Sequence, residues 1–374
     1  MTAALGFAAI AEPVKTDAGQ VTGIPGKDAS VRVYKGIPYA APPTGQNRWK
    51  APQPVAKWEG VKAADQFSPT CLAGGGGGGA GKGKGGGKGG GKGDAKAPAA
   101  KGPAPQAKGQ AKGPAGPGAS EDCLYINVWT TAASANERRP VFIWTYGGGF
   151  TGGSGSEGRY DGESLAKKGV VVVTYNYRLG MFGFLAHPEL SKESGHNASG
   201  NYAMLDLISA LKWVQKNIAA FGGDPNKVTL GGESAGAFQV AVMVASPEAK
   251  GLFQRGVAQS GGYMGLQIGK TRTLAQAEEA GLRAVGSRSI ADLRAMSTQD
   301  LVQNLTGVQS GVVVDGWVLP EDPSVIYRAG KQNKVELLVG SNQDEGTFLA
   351  EDQATPSSSR IRRRRAMAIW LGTF

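Results

Sequence analysis

The chain has 374 residues, 60 of them Gly, with a formal net charge of +11 and a sequence pI near 9.5. The charge is not spread evenly. Residues 74–118 carry eight Lys against one Asp, and residues 356–374 carry five Arg and no acid, so the rest of the chain is close to neutral. This excludes reading the body as a polyanion binder from its pI. No apolar run approaches the roughly 18 residues that a membrane-spanning helix needs, so no transmembrane segment is expected.

In chain order, residues 1–11 are small and apolar, ending Ala9-Ile10-Ala11 before Glu12-Pro13. They read as a signal-peptide remnant without its basic leader, or as an ordinary apolar terminus. Export would place the protein in a secreted or periplasmic setting, with the cytoplasm as the alternative. Val14 to Ala40 reads as short strands around turns. Residues 74–118 are Gly/Lys-rich, then Ala/Pro/Lys-rich. They lack the large apolar side chains that would offset ordering entropy, so a disordered insertion is expected. It has no interleaved aromatics, which argues against specific nucleic-acid binding and for a flexible tether or a weak polyanion contact.

From Leu124 the pattern becomes α/β. Val141–Thr145 and Val170–Tyr175 are continuous apolar runs of the kind buried sheet strands show. Tyr202–Ala219, Thr273–Val285 and Ile290–Met296 predict helices. Val228–Leu230, Gly256–Gln259 and Val335–Val339 predict further strands, the last of them before Gly340. The alternation implies one α/β domain over residues 12–352, a mostly parallel sheet with helices on both faces, interrupted by the insertion at 74–118.

Two Gly-rich points carry chemistry. Gly232-Glu233-Ser234-Ala235-Gly236 is a Gly-x-Ser-x-Gly pentapeptide between a β-prone run and a small-residue helical run. A serine on such a turn is presented as a nucleophile, and its flanking glycines let strand and helix pass closely. Tyr146-Gly147-Gly148-Gly149-Phe150 follows a hydrophobic strand. Glycines there allow backbone N–H groups to converge on one point, as an oxyanion hole requires. The two cysteines, Cys71 and Cys123, are compatible with one disulfide or with two separate thiols. No metal-ligand spacing and no cofactor-binding motif is seen.

The longer block from Phe221-Gly222-Gly223 to Val228-Thr229-Leu230-Gly231-Gly232-Glu233-Ser234-Ala235-Gly236 resembles the serine signature of the type-B carboxylesterase/lipase family. That family includes para-nitrobenzyl esterases, cholinesterases and cholesterol esterases. Ser120 to Val128 resembles its second signature, with Thr131 departing from the usual last position. Tyr34 to Pro43 resembles its N-terminal hallmark. The resemblance implies an α/β-hydrolase fold and a carboxylic-ester hydrolase acting through an acyl-enzyme on a small-molecule ester. It implies Ser234 as nucleophile, Gly148, Gly149 and Ala235 as oxyanion donors, and Glu345, in Gly340-Ser341-Asn342-Gln343-Asp344-Glu345-Gly346, as the residue orienting the base. It further implies Ser260 beside the triad, a Cys71–Cys123 disulfide and a buried Arg48–Glu121 ion pair. Ser260 also reads as a plain strand-end turn.

The base is the member that the resemblance does not supply. The family order is Ser, then acid, then His. The only two histidines, His187 and His196, both precede Ser234 and are expected on a surface loop leading into the long helix. The resemblance stops near Asp352, and the Arg-rich stretch 353–374 reads as truncation or a shifted frame, which would leave a sheet edge uncovered, with a targeting or nucleic-acid tail as the alternative. Severely impaired activity is therefore expected, with a non-catalytic α/β-hydrolase-fold binding protein as the alternative. Neither the particular ester nor the oligomeric state is specified by these motifs.

Overall fold

The structure, a computed structural model, describes residues 10–74, 118–262 and 271–343. Asp344, Glu345, the tail 353–374, nearly all of 1–11 and all but the ends of the 74–118 insertion lie outside them.

An eight-stranded sheet organises the described residues. In chain order its strands are β1 (Ile24–Pro25), β2 (Arg32–Pro38), β3 (Tyr125–Thr130), β4 (Arg139–Thr145), β5 (Val171–Tyr175), β6 (Gly223–Glu233), β7 (Arg255–Gln259) and β8 (Glu336–Gly340). Their spatial order is β8-β7-β6-β4-β5-β3-β2-β1. From β5 to β8 every pairing is parallel, while β1, β2 and β3 add antiparallel strands on the other side. The mostly parallel half carries the site, and the antiparallel half carries the N-terminal segment.

The apolar run at β5 shows why such strands lie inside. All five of its residues are buried, and alternate side chains point to opposite faces. Val171, Val173 and Tyr175 join the main core, whereas Val172 joins a second cluster with Val31, Val33, Trp129 and Ala166. Both faces of the sheet are therefore covered. Helices α1 (Tyr202–Asn217) and α2 (Ala235–Ala245) pack against it, while α3 (Leu274–Val285) and α4 (Ile290–Ala295) lie in the segment between β7 and β8. Every residue of α2 is buried, and all but Gln239 are apolar or small.

Strand β6 is longer than the short Val228–Leu230 run predicts. Its start pairs Gly223 with Arg139, and a register shift follows before Val228 meets Val141. The Asp-Pro-Asn segment carries no apolar signal, so sequence pattern misses it. Strand β8 differs in burial: every residue is exposed, with Leu337, Leu338 and Val339 at 48%, 68% and 65%. Arg48 and Glu121 form a buried bidentate pair at 2.7 Å on both arms. Arg48 Nη1 also donates to the carbonyls of Leu293, Arg294 and Met296, so the same guanidinium caps the C-terminal end of α4. Cys71 and Cys123 are joined as a disulfide with Cα atoms 5.1 Å apart. It closes the stem from which the insertion leaves, beside the two-residue parallel pairing of Thr70–Cys71 with Ala119–Ser120.

Candidate active site

Strand β6 ends at Glu233 and α2 begins at Ala235, leaving one residue, Ser234, to reverse the chain. Its backbone sits at φ +53°, ψ −122°. A non-glycine residue there costs on the order of 1–3 kcal/mol and persists only where its surroundings hold it. They do so through close backbone packing. A Cβ on Gly232 would lie 2.5 Å from the Gly236 carbonyl carbon, and one on Gly236 would lie 2.1 Å from the Thr145 oxygen. Only hydrogen fits at either position. The Ser234 N–H donates to the Gln259 carbonyl at 2.9 Å, and the Ser234 carbonyl accepts from Phe238 N–H at 3.0 Å. Ser234 itself is half-buried.

The Tyr146–Phe150 loop leaves β4, the neighbour of β6, and arrives against this turn. A Cβ on Gly147 would lie 2.7 Å from Glu233 Oε2 and 3.1 Å from Ser234 Cβ. Gly148 and Gly149 follow with φ of +113° and +62° and are exposed. Ala235 is buried and is the first residue of α2, so its N–H belongs to the donors a helix start leaves unused. The positive end of the helix macrodipole lies at the same point and favours negative charge there. Ser234, Gly147–Gly149 and Ala235 are thus gathered at one end of the sheet.

The register of the parallel strands brings two further segments to that end. Glu233 pairs with Gln259, and Gln259 pairs with Gly340. The residues that follow, Ser234, Ser260 and Ser341, therefore leave three adjacent strands on one side, where α/β sheets generally place their sites. Ser260 adopts φ +54° and donates its N–H to the Gly340 carbonyl at 2.7 Å. Gly261 packs so closely that a Cβ would lie 2.8 Å from the Ser234 carbonyl oxygen. Glu345 lies outside the described residues, four positions beyond Ser341.

The histidines are elsewhere, and one expectation about them is corrected. His187 is not on the surface but 4% exposed. It caps the short helix Pro188–Glu193, its Nδ1 accepting from the Glu189 N–H at 3.2 Å. Burial lowers its pKa below the usual imidazole value. His196 is exposed and stacks face to face on Trp317, ring centroids 3.7 Å apart. A single polar letter before a proline does not reveal burial, so sequence could not separate the two. The Glu233 carboxylate flanks the Gly147 backbone, a contact signalled in the sequence only by its position inside the pentapeptide. The buried pair Arg178–Asp206, 2.6 Å apart beneath Tyr202, has no local signature. Among the described residues no group of three or more His, Cys, Asp or Glu side chains is placed to hold a metal ion, and no helix is long and apolar enough to cross a membrane.

A parallel-sheet strand, a one-residue serine turn, a buried helix and a glycine loop from the adjacent strand define the α/β-hydrolase fold. The model of the carboxylesterase family matches residues 11–369, and the chain belongs to that family. The match runs to residue 369, past Asp352, which corrects the expectation that the resemblance stops there. The chain is 38% identical over 345 residues to the fumonisin B1 esterase of Sphingopyxis macrogoltabida, covering 88% of this chain and 56% of that protein. It is 35% identical over 368 residues to the para-nitrobenzyl esterase of Bacillus subtilis (strain 168), covering 93% and 66%. A solved para-nitrobenzyl esterase structure superposes with a TM-score of 0.72 at 34% identity, covering 94% of this chain and 68% of that one. The chain thus spans between about half and two thirds of the length of these curated relatives.

Proposed function

We propose that this protein is a carboxylic-ester hydrolase in which Ser234 is the nucleophile. The observation that carries the reading is the contact between the strained Ser234 turn and the Gly147 backbone at the N-terminus of α2. In the proposed reaction Ser234 Oγ attacks the ester carbonyl carbon as its proton passes to a base, here water or added imidazole, which returns a proton to the leaving alcohol. The N–H groups of Gly148, Gly149 and Ala235 receive the developing oxyanion. Collapse expels the alcohol and leaves an acyl-serine, which water hydrolyses to the acid. Glu345 would orient a base, and Ser260 would support the turn from β7. Two of the curated relatives are named for fumonisin B1 and para-nitrobenzyl esters, which supports a small-molecule ester as substrate. The Cys71–Cys123 disulfide supports a secreted or periplasmic location.

No histidine follows Glu345 in these 374 residues, and His187 and His196 are engaged in a helix cap and a ring stack. Loss of the base from a serine triad lowers kcat by about 10⁶, or about 8 kcal/mol, and leaves roughly 10³–10⁴ over water from the oxyanion donors and binding. A polypeptide of this sequence is therefore proposed to turn over slowly. The engaged histidines also favour a second reading, a non-catalytic binding protein of the same fold. Hydrolysis of p-nitrophenyl acetate, with and without added imidazole, separates the two. Imidazole-stimulated turnover that disappears in Ser234→Ala supports the hydrolase. Turnover equal in Ser234→Ala at every imidazole concentration overturns it.

A further inference from the structure

The glycine loop after β4 has no secondary structure of its own, so something else must aim its amides. The loop doubles back on itself. A Cβ on Gly148 would lie 2.4 Å from the Gly152 oxygen, and one on Gly153 would lie 2.6 Å from the Gly147 oxygen. Both limbs are then fastened to one short segment at the end of β5, Thr174 to Tyr177. On the incoming limb, Tyr146 and Tyr177 clasp each other. Their rings stack at 4.3 Å, the Tyr177 hydroxyl donates to the Tyr146 carbonyl at 2.9 Å, and the Tyr146 hydroxyl accepts from the Tyr177 N–H at 3.2 Å. On the outgoing limb, Asn176 Oδ1 accepts from the Gly155 N–H at 2.9 Å and from the Ser154 hydroxyl at 3.1 Å. Thr174 Oγ1 donates to the Gly155 carbonyl at 2.7 Å. Tyr146, Tyr177, Asn176 and Thr174 are all buried.

Resting on the proposed hydrolase reading, we propose that Tyr177 and Asn176 are positioning residues for the oxyanion loop. They touch no reacting atom. Strand pairing fixes their place, because Thr174 lies opposite Trp144 in the parallel β5–β4 register, so the end of β5 is a template aligned with the end of β4. Burial raises the Tyr146 and Tyr177 hydroxyls well above the usual phenol range, so both stay protonated donors through neutral pH. Donors aimed at the transition state but not at the bound substrate act on kcat rather than KM.

The test compares Tyr177→Phe with Tyr175→Phe. Each keeps its ring, and the Tyr175 hydroxyl, equally buried two residues earlier on β5, bonds Thr145 rather than the loop. For p-nitrophenyl acetate in imidazole buffer, Tyr177→Phe is expected to lower kcat roughly tenfold with KM within about twofold, less than outright removal of an oxyanion donor. Tyr175→Phe is expected to leave both within about twofold. Amide exchange across residues 146–155 provides a readout that needs no turnover. Tyr177→Phe and Asn176→Ala are expected to accelerate it while exchange across residues 141–144 is unchanged. Equal kcat losses in the two Tyr variants, or unaltered exchange at 146–155, overturn the proposal. If turnover survives Ser234→Ala while exchange responds as expected, the hydrolase reading fails and the clasp stands.

Discussion

At β6 the sheet has a neighbour on each side, and Val228 and Leu230 are fully buried. At β8 it has, among the described residues, one neighbour, β7, and Leu338 is 68% exposed. Both strands end at the same side of the sheet, one delivering Ser234 and the other leading toward Glu345. The difference shows where the site is over-determined. The serine turn is fixed by backbone contacts too close for any side chain, by hydrogen bonds to β7 and by the loop from β4. Among the described residues, the segment leading to Ser341 is fixed through β7. The Ser234 turn and the Gly147–Gly149 loop are therefore held by contacts among β4, β6 and β7.

The largest expected effect is at the buried ion pair that ties Glu121 to the C-terminal end of α4 through Arg48. Arg48→Ala leaves Glu121 buried without its partner and α4 without its cap, and should cost about 3–5 kcal/mol in denaturant unfolding. A loss under about 1 kcal/mol would mean that this pair is not an anchor. Next comes the turn itself. Gly236→Ala forces a methyl group to within contact of the Thr145 carbonyl and should cost about 3 kcal/mol, with loss of Ser234-dependent turnover.

Paired truncations test the contrast directly. Leu230→Ala should cost about 2–5 kcal/mol, whereas Leu338→Ala should fall within about 0.5 kcal/mol. Similar losses at both positions would show that β8 is covered in solution. The smallest effect is electrostatic. His187 has a folded pKa below its ordinary value of 6.5, chiefly through burial, so between the two values the unfolded chain binds more protons than the folded one. Its contribution is present above about pH 6.5 and is lost as pH falls through the folded pKa. His187→Asn, which retains a good capping residue, should flatten thermal stability against pH in that window. An unchanged slope would contradict the burial effect.

What was legible in the sequence was local. Gly232, Ser234 and Gly236 lie within five residues, and Tyr146–Phe150 within another five, so turn chemistry reveals both. The strands at 141–145 and 171–175 are legible because burial on both faces demands unbroken apolar runs. Illegible were contacts that join distant segments. Arg48 reaches Met296 across 248 positions, and Tyr146 meets Tyr177 only once β4 and β5 are paired. The exposure of Leu337–Val339 was also unreadable from the residues of β8, since an apolar run looks the same at a sheet centre and at an edge.

The central claim is that Ser234 is the reactive group. Covalent labelling with a fluorophosphonate, followed by peptide mass spectrometry, tests it most directly. A single adduct on Ser234 is expected, formed slowly and accelerated by imidazole, with Ser260 unmodified and no adduct in Ser234→Ala. An adduct on another serine, or imidazole-stimulated ester turnover with Ser234 unlabelled, would contradict it.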